Sequence, residues 1–486
     1  MSVLRTIPVE DVLDRGQRAG LKRRLSGRDL TGWGIGIIIG SGIFTLTGVE
    51  AKDHAGPGVV ISFLIGAVVA GLAALCYAEL ASAVPTAGSA YTYAYATLGE
   101  IFAWIIGWDL LLEFALGASV VSRSWSGYVA SLLGLPEQWF GEDSTVNIGA
   151  MLIIAVLAAV AVAGIRESSW VTNTLVILKV SVCVLVVVAG LFFFNAAYLD
   201  PFIPPAQPAE VSADATQQPL LSALLGWKQS VYGFGGVLTA AAIVFFGYTG
   251  FESLANMGEE TKNPRRDLPV GLLGSLAVCS VLYVAVSFVL TSMVDYRDIN
   301  VAAPLSAAFT DVGAHWIAAL VGFGAVLGLT SVMMVELVTI GRIGFAMSRD
   351  GLLPRKLSQV HPRWGTPHRV TLLGAGLIML IAGFVPITEL ADMVSIGALS
   401  GFFIVALAVP VLRHRKPNLN RPFRVPLSPW LPILTALACL YLMMNLNVLT
   451  WIRFGVWLLL GLAIYVGYGR RNSRLSSRTT SPTEAE

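Results

Sequence analysis

Polar and apolar positions along the chain fall into blocks. Apolar stretches of roughly 20 residues recur from end to end, each long enough to cross about 30 Å of hydrocarbon as a helix. They predict spans near 30–52, 57–81, 99–133, 147–164, 170–194, 232–256, 270–294, 315–347, 369–385, 389–412, 429–446 and 451–468. The expected fold class is an all-α integral membrane protein of about twelve transmembrane helices.

Composition strengthens this picture. The 486 residues are 55% hydrophobic and 13% charged, with a mean hydropathy of +0.73. Soluble chains carry about 25% charged residues, so lipid is the expected solvent. The first apolar block is full length and follows a basic arm, so no cleaved signal peptide is expected. If that arm is cytoplasmic, most of the 32 Lys and Arg residues fall on the inner side and only Lys52, Lys228, Arg297 and Arg453 on the outer. The positive-inside rule then places both termini in the cytoplasm, and the plasma membrane is the expected location. The formal net charge of +2 adds little. No basic patch with interleaved aromatics appears, so nucleic acid is not an expected partner.

The chain divides into a polar arm (1–29), a first set of five spans (30–194), an outer loop (195–231), a second set of five (232–412), two further spans (413–469) and a polar tail (470–486). The tail is rich in Ser, Thr and Arg and is expected to be disordered. The loop carries several prolines and the acids Asp200, Glu210 and Asp214.

The segments at the start of the two sets are alike in kind. The first span contains Gly34-Ile35-Gly36-Ile37-Ile38-Ile39-Gly40-Ser41-Gly42-Ile43-Phe44, and the sixth contains Phe245-Phe246-Gly247-Tyr248-Thr249-Gly250-Phe251-Glu252. Glycine inside a helix costs about 1 kcal/mol relative to alanine, and clustered glycines invite the backbone to unwind. Unwound backbone at membrane depth persists only where it lines an enclosed or wet cavity. Interrupted helices in corresponding positions of two inverted halves point to a transporter site. Close helix packing through small residues is the alternative account of the same glycines.

These residues resemble the amino acid–polyamine–organocation superfamily, and within it the bacterial relatives of the cationic amino acid transporters. Four signatures carry the resemblance, which covers essentially the whole chain. They are Gly40-Ser41-Gly42-Ile43-Phe44; Tyr77-Ala78-Glu79-Leu80 with the run from Pro85 through Gly88 to Tyr93; Gly247 to Glu252 continuing to Pro269; and Ala346-Met347-Ser348-Arg349-Asp350-Gly351. The chain departs from the usual pattern at Gly247, at Glu252 and in Thr339-Ile340-Gly341-Arg342.

The resemblance implies a LeuT-like inverted repeat of five plus five helices, broken helices 1 and 6, two C-terminal helices, and alternating access around a central site. It implies that the N–H groups of Ser41, Gly42 and Ile43 receive the substrate carboxylate. The substrate ammonium group would lie against the carbonyls of Ile38, Phe246, Gly247 and Thr249. Lys179 resembles the lysine that proton-coupled members place where sodium-coupled carriers of the same fold hold an ion.

Ionisable side chains within spans are functional candidates by default. Lys179 lies about ten residues, or about 15 Å, from the nearest interface, too far to snorkel. Glu113 and Asp109, four apart, share a helix face and either line a pocket or form a structural pair. Arg123 reads as structural. Glu336 either meets a cationic substrate side chain such as that of arginine, lysine or ornithine, or partners a lysine, Lys179 included. Glu79, Glu259, Glu260, Arg265, Arg266, Arg349 and Asp350 sit at cytoplasmic helix ends as capping or gate charges. Cys76, Cys183, Cys279 and Cys439 lie in spans at no metal-ligand spacing and read as packing residues.

The expected function is therefore a proton-coupled amino acid permease, with amino acid and protons as its ligands, no cofactor and no metal. A neutral amino acid or polyamine carrier, or an exchanger, is the alternative within the class. A transporter-like sensor would need a signalling domain that the short arm and tail do not provide. A channel gives no reason for substrate donors at broken helices. No nucleophile and base set, phosphate loop or metal spacing suggests an enzyme.

Overall fold

The first helix starts where the sequence supplies a capping box. The Ser26 hydroxyl accepts from the Asp29 N–H, and the Asp29 carboxylate accepts from the Ser26 N–H at 2.8 Å, satisfying two donors of the first turn. The computed structural model describes residues 25–473 except 85–90, 92–93, 96–98, 142–143, 165–168, 209–214, 228–229 and 259. Arg166, Glu210, Asp214, Glu259, most of the Pro85 to Tyr93 run, most of the N-terminal arm and most of the tail lie outside the described residues.

Among the described residues the longer helices are α1 (Gly27–Ile38), α2 (Val59–Ala83), α3 (Glu100–Leu133), α4 (Ile148–Val162), α5 (Ser169–Gly190), α6 (Gly233–Val244), α7 (Pro264–Met293), α8 (His315–Arg349), α9 (His368–Phe384), α10 (Ile387–Arg415), α11 (Trp430–Met444) and α12 (Val448–Ile464). Among the described residues eight helical stretches are long and apolar enough to cross a membrane, with α4, α9 and α11 as shorter apolar helices. Large apolar side chains such as Phe192, Phe234, Val281 and Trp430 are exposed around the outside. Such a surface belongs in hydrocarbon, where helices satisfy their own backbone groups.

Two of the spans are interrupted where the glycines cluster. After α1, Ile39 is extended (ψ 96°), and helical turns resume at Gly42–Leu46, Thr47–Glu50 and Ala51–Ala55. Gly56, with φ 57° and ψ −145°, then ends that path before α2 begins. After α6, a 3-10 turn (Phe245–Tyr248) gives way to extended Thr249 (ψ 163°) and to Gly250 at φ 101°, before a second 3-10 run (Phe251–Met257). Gly250 needs glycine twice over: the φ is left-handed, and a Cβ there would meet Ile37 Cγ2 at 2.5 Å.

The all-α expectation needs one small amendment. Gln207–Pro208 and Ser230–Val231 pair antiparallel in the 195–231 loop. The loop also forms a short helix, Leu220–Leu225, whose Leu220 N–H reaches the Leu446 carbonyl at 2.9 Å. At the other face α12 docks on α3: the Trp104 and Trp108 indole N–H groups donate to the Gly461 and Trp457 carbonyls, each at 2.9 Å.

Candidate functional site

The interruptions leave helix-end carbonyls that need donors, and the neighbouring spans supply them. Lys179 of α5, 0% exposed, donates from Nζ to the Gly36 carbonyl at 2.5 Å. A lysine cation at the C-terminal end of α1 also meets the negative end of its dipole. Space for its stem comes from α8, where a Cβ on Gly328 would lie 3.2 Å from Lys179 Cγ. In an unbroken helix the Ile38 carbonyl would accept from the Gly42 N–H. Here the Tyr283 hydroxyl of α7 lies 2.6 Å from it and 2.8 Å from the Gly247 carbonyl, bridging both interruptions.

A cavity opens at the same level. Its walls are Ile37 and Ile38 at the end of α1, then Gly40, Ser41 and Gly42; Phe246, Gly247, Thr249 and Gly250 from the second interruption; Glu113, Phe114 and Val121 of α3; Val332 and Glu336 of α8; and Val394 of α10. Of the residues singled out in the sequence, Ile38, Ser41, Gly42, Phe246, Gly247, Thr249, Glu113 and Glu336 therefore meet around one space. Ile43 is not among the lining residues, and its N–H turns to the Gly40 carbonyl at 3.3 Å. Lys179 stands behind the wall, and Glu336 is within its electrostatic reach.

Three polar atoms at this cavity are buried and have no hydrogen-bond partner: Ser41 Oγ, Glu113 Oε1 and Glu336 Oε2. Each such atom costs about 1–3 kcal/mol until something bonds to it. The carbonyls are better supplied. Phe246 O accepts from the Thr249 N–H at 3.0 Å and from its hydroxyl at 2.9 Å, while the Ile38 and Gly247 carbonyls face Tyr283.

The family described as "Amino acid permease" matches residues 25–466. The chain belongs to the amino acid permease family. It is similar to a branched-chain amino acid permease of Bacillus subtilis, 42% identical over 98% of this chain and 99% of the relative. It is also similar to a methylthioribose transporter of the same organism, 39% identical over 98% and 99%. A human cationic amino acid transporter 4 is 29% identical over 96% of this chain and 90% of its own length. The permease is thus a multi-pass membrane protein of a transporter family, not of an enzyme family.

The remaining ionisable groups of the permease sort by their partners. Asp109 does not line the cavity; its Oδ2 accepts from Ser400 of α10 at 2.7 Å. Arg123 Nη1 donates to the Ala382 carbonyl of α9 at 3.0 Å. Glu79 receives Arg413 Nε at 2.8 Å and Nη2 at 2.5 Å, and the Val425 N–H at 2.7 Å, fastening α2 to the last turn of α10 and to the segment after it. Asp350 accepts from the Tyr91 hydroxyl at 3.1 Å. Arg265, Arg266 and Arg349 are exposed, while the Glu260 carbonyl pairs with the Leu25 N–H at 3.1 Å. The four cysteines are buried and free.

Sequence reasoning missed three participants. Tyr283 is one; a hydroxyl in an otherwise apolar stretch of α7 was the available signal. Tyr128 of α3 is another, donating to the Phe44 carbonyl at 2.6 Å. Glu252, noted only as a departure from the family pattern, accepts from the Gly250 N–H at 2.9 Å and is an electrostatic neighbour of Glu113.

Proposed function

We propose that the permease is a proton-coupled carrier of amino acids working by alternating access, with cationic amino acids as the favoured substrates. The observation that carries the reading is the set of three orphaned polar atoms, Ser41 Oγ, Glu113 Oε1 and Glu336 Oε2, around one cavity between two interrupted helices. A cationic amino acid supplies what they lack. Its carboxylate accepts from the Ser41 hydroxyl and from the N–H groups of Ser41 and Gly42 at the restart of the first span, where the helix dipole favours an anion. Its two cationic groups donate to the two carboxyls, one at Glu113 and the other at Glu336, as charge-assisted bonds. The carbonyls of Ile38, Phe246, Gly247 and Thr249 are a second set of acceptors near the ammonium group, and Ile43 supports the turn from outside the lining.

In this reading Gly56 separates two spans, so the chain crosses the bilayer twelve times. Residues 30–194 and 232–412 form the two inverted five-helix halves, and 413–469 adds two helices. The protein lies in the plasma membrane with both termini cytoplasmic. Lys179 is the coupling group: its positive charge strengthens the hydrogen bond that holds the Gly36 carbonyl, and loss of a proton leaves only an uncharged amine donor and loosens the end of α1. Protonated and deprotonated states then favour different conformations, which lets a proton gradient bias the cycle.

The apolar part of the lining, Phe114, Val121, Val332 and Val394, favours a second reading in which a branched aliphatic side chain fills the cavity, as the name of the Bacillus branched-chain relative suggests. A thermal-shift screen of purified protein against individual amino acids and polyamines separates the two. Stabilisation by arginine, lysine or ornithine supports the first; stabilisation confined to leucine, isoleucine and valine supports the second; no stabilisation by any amino acid overturns both.

A further inference from the structure

A second set of buried ionisable groups lies away from the cavity, at the far end of the first span. Glu50 closes the turn Thr47–Glu50 and is 0% exposed. His54 follows one turn later, with Nδ1 2.8 Å from Glu50 Oε2. Asp392 arrives from α10, 6% exposed, and its Oδ2 accepts from Asn447 Nδ2 at 3.2 Å and from the Thr450 hydroxyl at 3.3 Å, at the start of α12. Glu50 and Asp392 are electrostatic neighbours of each other and of His54.

The bonding of this set is incomplete. Glu50 Oε1 and Asp392 Oδ1 are both buried without a hydrogen-bond partner. One imidazole bonds one of the two carboxyl groups and leaves the other to itself. A proton bound there turns an orphaned acceptor into a donor. The other charged groups nearby leave the need unmet. Lys52 Nζ is engaged with the Ile299 carbonyl at 3.0 Å. Asp53 is exposed and adds negative charge. Arg453 of α12 reaches Asp392 only at a distance, because its guanidinium is held by Glu389 at 2.7 Å. Helix α6 contributes no titratable side chain. Among the described residues no group of His, Cys, Asp or Glu has the geometry for a metal ion.

The end of the first span also abuts the start of α6. The Tyr232 N–H donates to the His54 carbonyl at 3.0 Å, and a Cβ on Gly236 of α6 would meet that carbonyl oxygen at 2.1 Å. We propose that Glu50, His54 and Asp392 form a proton-binding site whose occupancy holds the end of the first span against α6, α10 and α12. Only the consequence rests on the transport reading: with the N-terminus cytoplasmic, this end faces outside, and the bound proton closes the outer entrance.

Infrared difference spectroscopy of the purified full chain, titrated with pH and with no substrate added, tests the site through its carboxyl C=O band. The wild type is expected to show a titrating buried carboxyl that is lost in Glu50→Gln or in Asp392→Asn. His54→Gln is expected to move its midpoint by about one pH unit or more, the effect of losing one close charge. If Glu50→Gln does not fold, Asp392→Asn and His54→Gln carry the test. A titrating band of unchanged amplitude in the Asp392 and Glu50 variants, with the same midpoint in His54→Gln, overturns the proposal. Since no amino acid is present, that failure leaves the transport reading standing, and failure of the amino acid screen leaves this site standing.

Discussion

Gly42 and Gly247 bring the two interrupted helices into backbone contact: a Cβ on Gly42 would lie 2.3 Å from the Gly247 Cα, whereas a Cβ on Gly247 would lie 3.2 Å from the Gly42 Cα. Gly42 faces only the backbone of Gly247, while Gly247 faces the Gly42 backbone and the Tyr283 ring, whose Cε2 a Cβ would meet at 3.3 Å. Gly42→Val is therefore expected to disrupt the crossing as well as the approach of a carboxylate to the N–H groups. Gly42→Ala should lower stability by at least the roughly 1–3 kcal/mol typical of overpacking, and Gly247→Ala by less. Melting curves in detergent check the order; equal, wild-type melting of both variants would contradict the crossing.

Tyr283 serves two carbonyls with one hydroxyl. Tyr283→Phe leaves the Ile38 and Gly247 carbonyls without that donor, at a cost of about 1–3 kcal/mol for a buried group left unpaired. The expected result is a lower melting temperature with the order of preferred amino acids preserved. A reordered substrate preference at unchanged melting temperature would place Tyr283 against the substrate side chain instead.

Glu336 and Gly117 form a matched pair, because a Cβ on Gly117 would meet Glu336 Oε1 at 2.6 Å. Glu336→Ala should weaken arginine, lysine or ornithine binding by about 10- to 100-fold, the worth of a hydrogen bond to a charged group, with a much smaller effect on alanine. Gly117→Ala should act in the same direction by displacing the carboxyl while keeping it. Calorimetric titration with arginine and alanine reads both variants. Equal losses for the two amino acids would make Glu336 a structural partner of another helix.

The helices were legible because hydropathy reports burial in lipid. The predicted 99–133 and 315–347 blocks became Glu100–Leu133 and His315–Arg349. The seventh helix begins at Pro264, six residues before the apolar block, because Asn263 precedes a proline at the first helical position, which starts a helix without needing apolar side chains. The glycine clusters located both interruptions. What the sequence could not display was which side chain answers which helix end. Spacing along α3 puts Asp109 and Glu113 on one face, yet Asp109 turns to Ser400 and Glu113 to the cavity, a division set by the crossing of α10. Tyr283 and Tyr128 reach carbonyls on other spans, and pairings over such sequence separations leave no local pattern.

In the proposed cycle Lys179 couples a proton to the movement of the first span through the Gly36 carbonyl. Reconstituted into proteoliposomes, the wild type is expected to accumulate the amino acid found in the binding screen when the outside is acidified, with no response to sodium. Lys179→Ala is expected to retain binding and lose that accumulation. Wild-type accumulation driven by the pH gradient in Lys179→Ala would contradict the account and move the coupling role to Glu336 or Glu113.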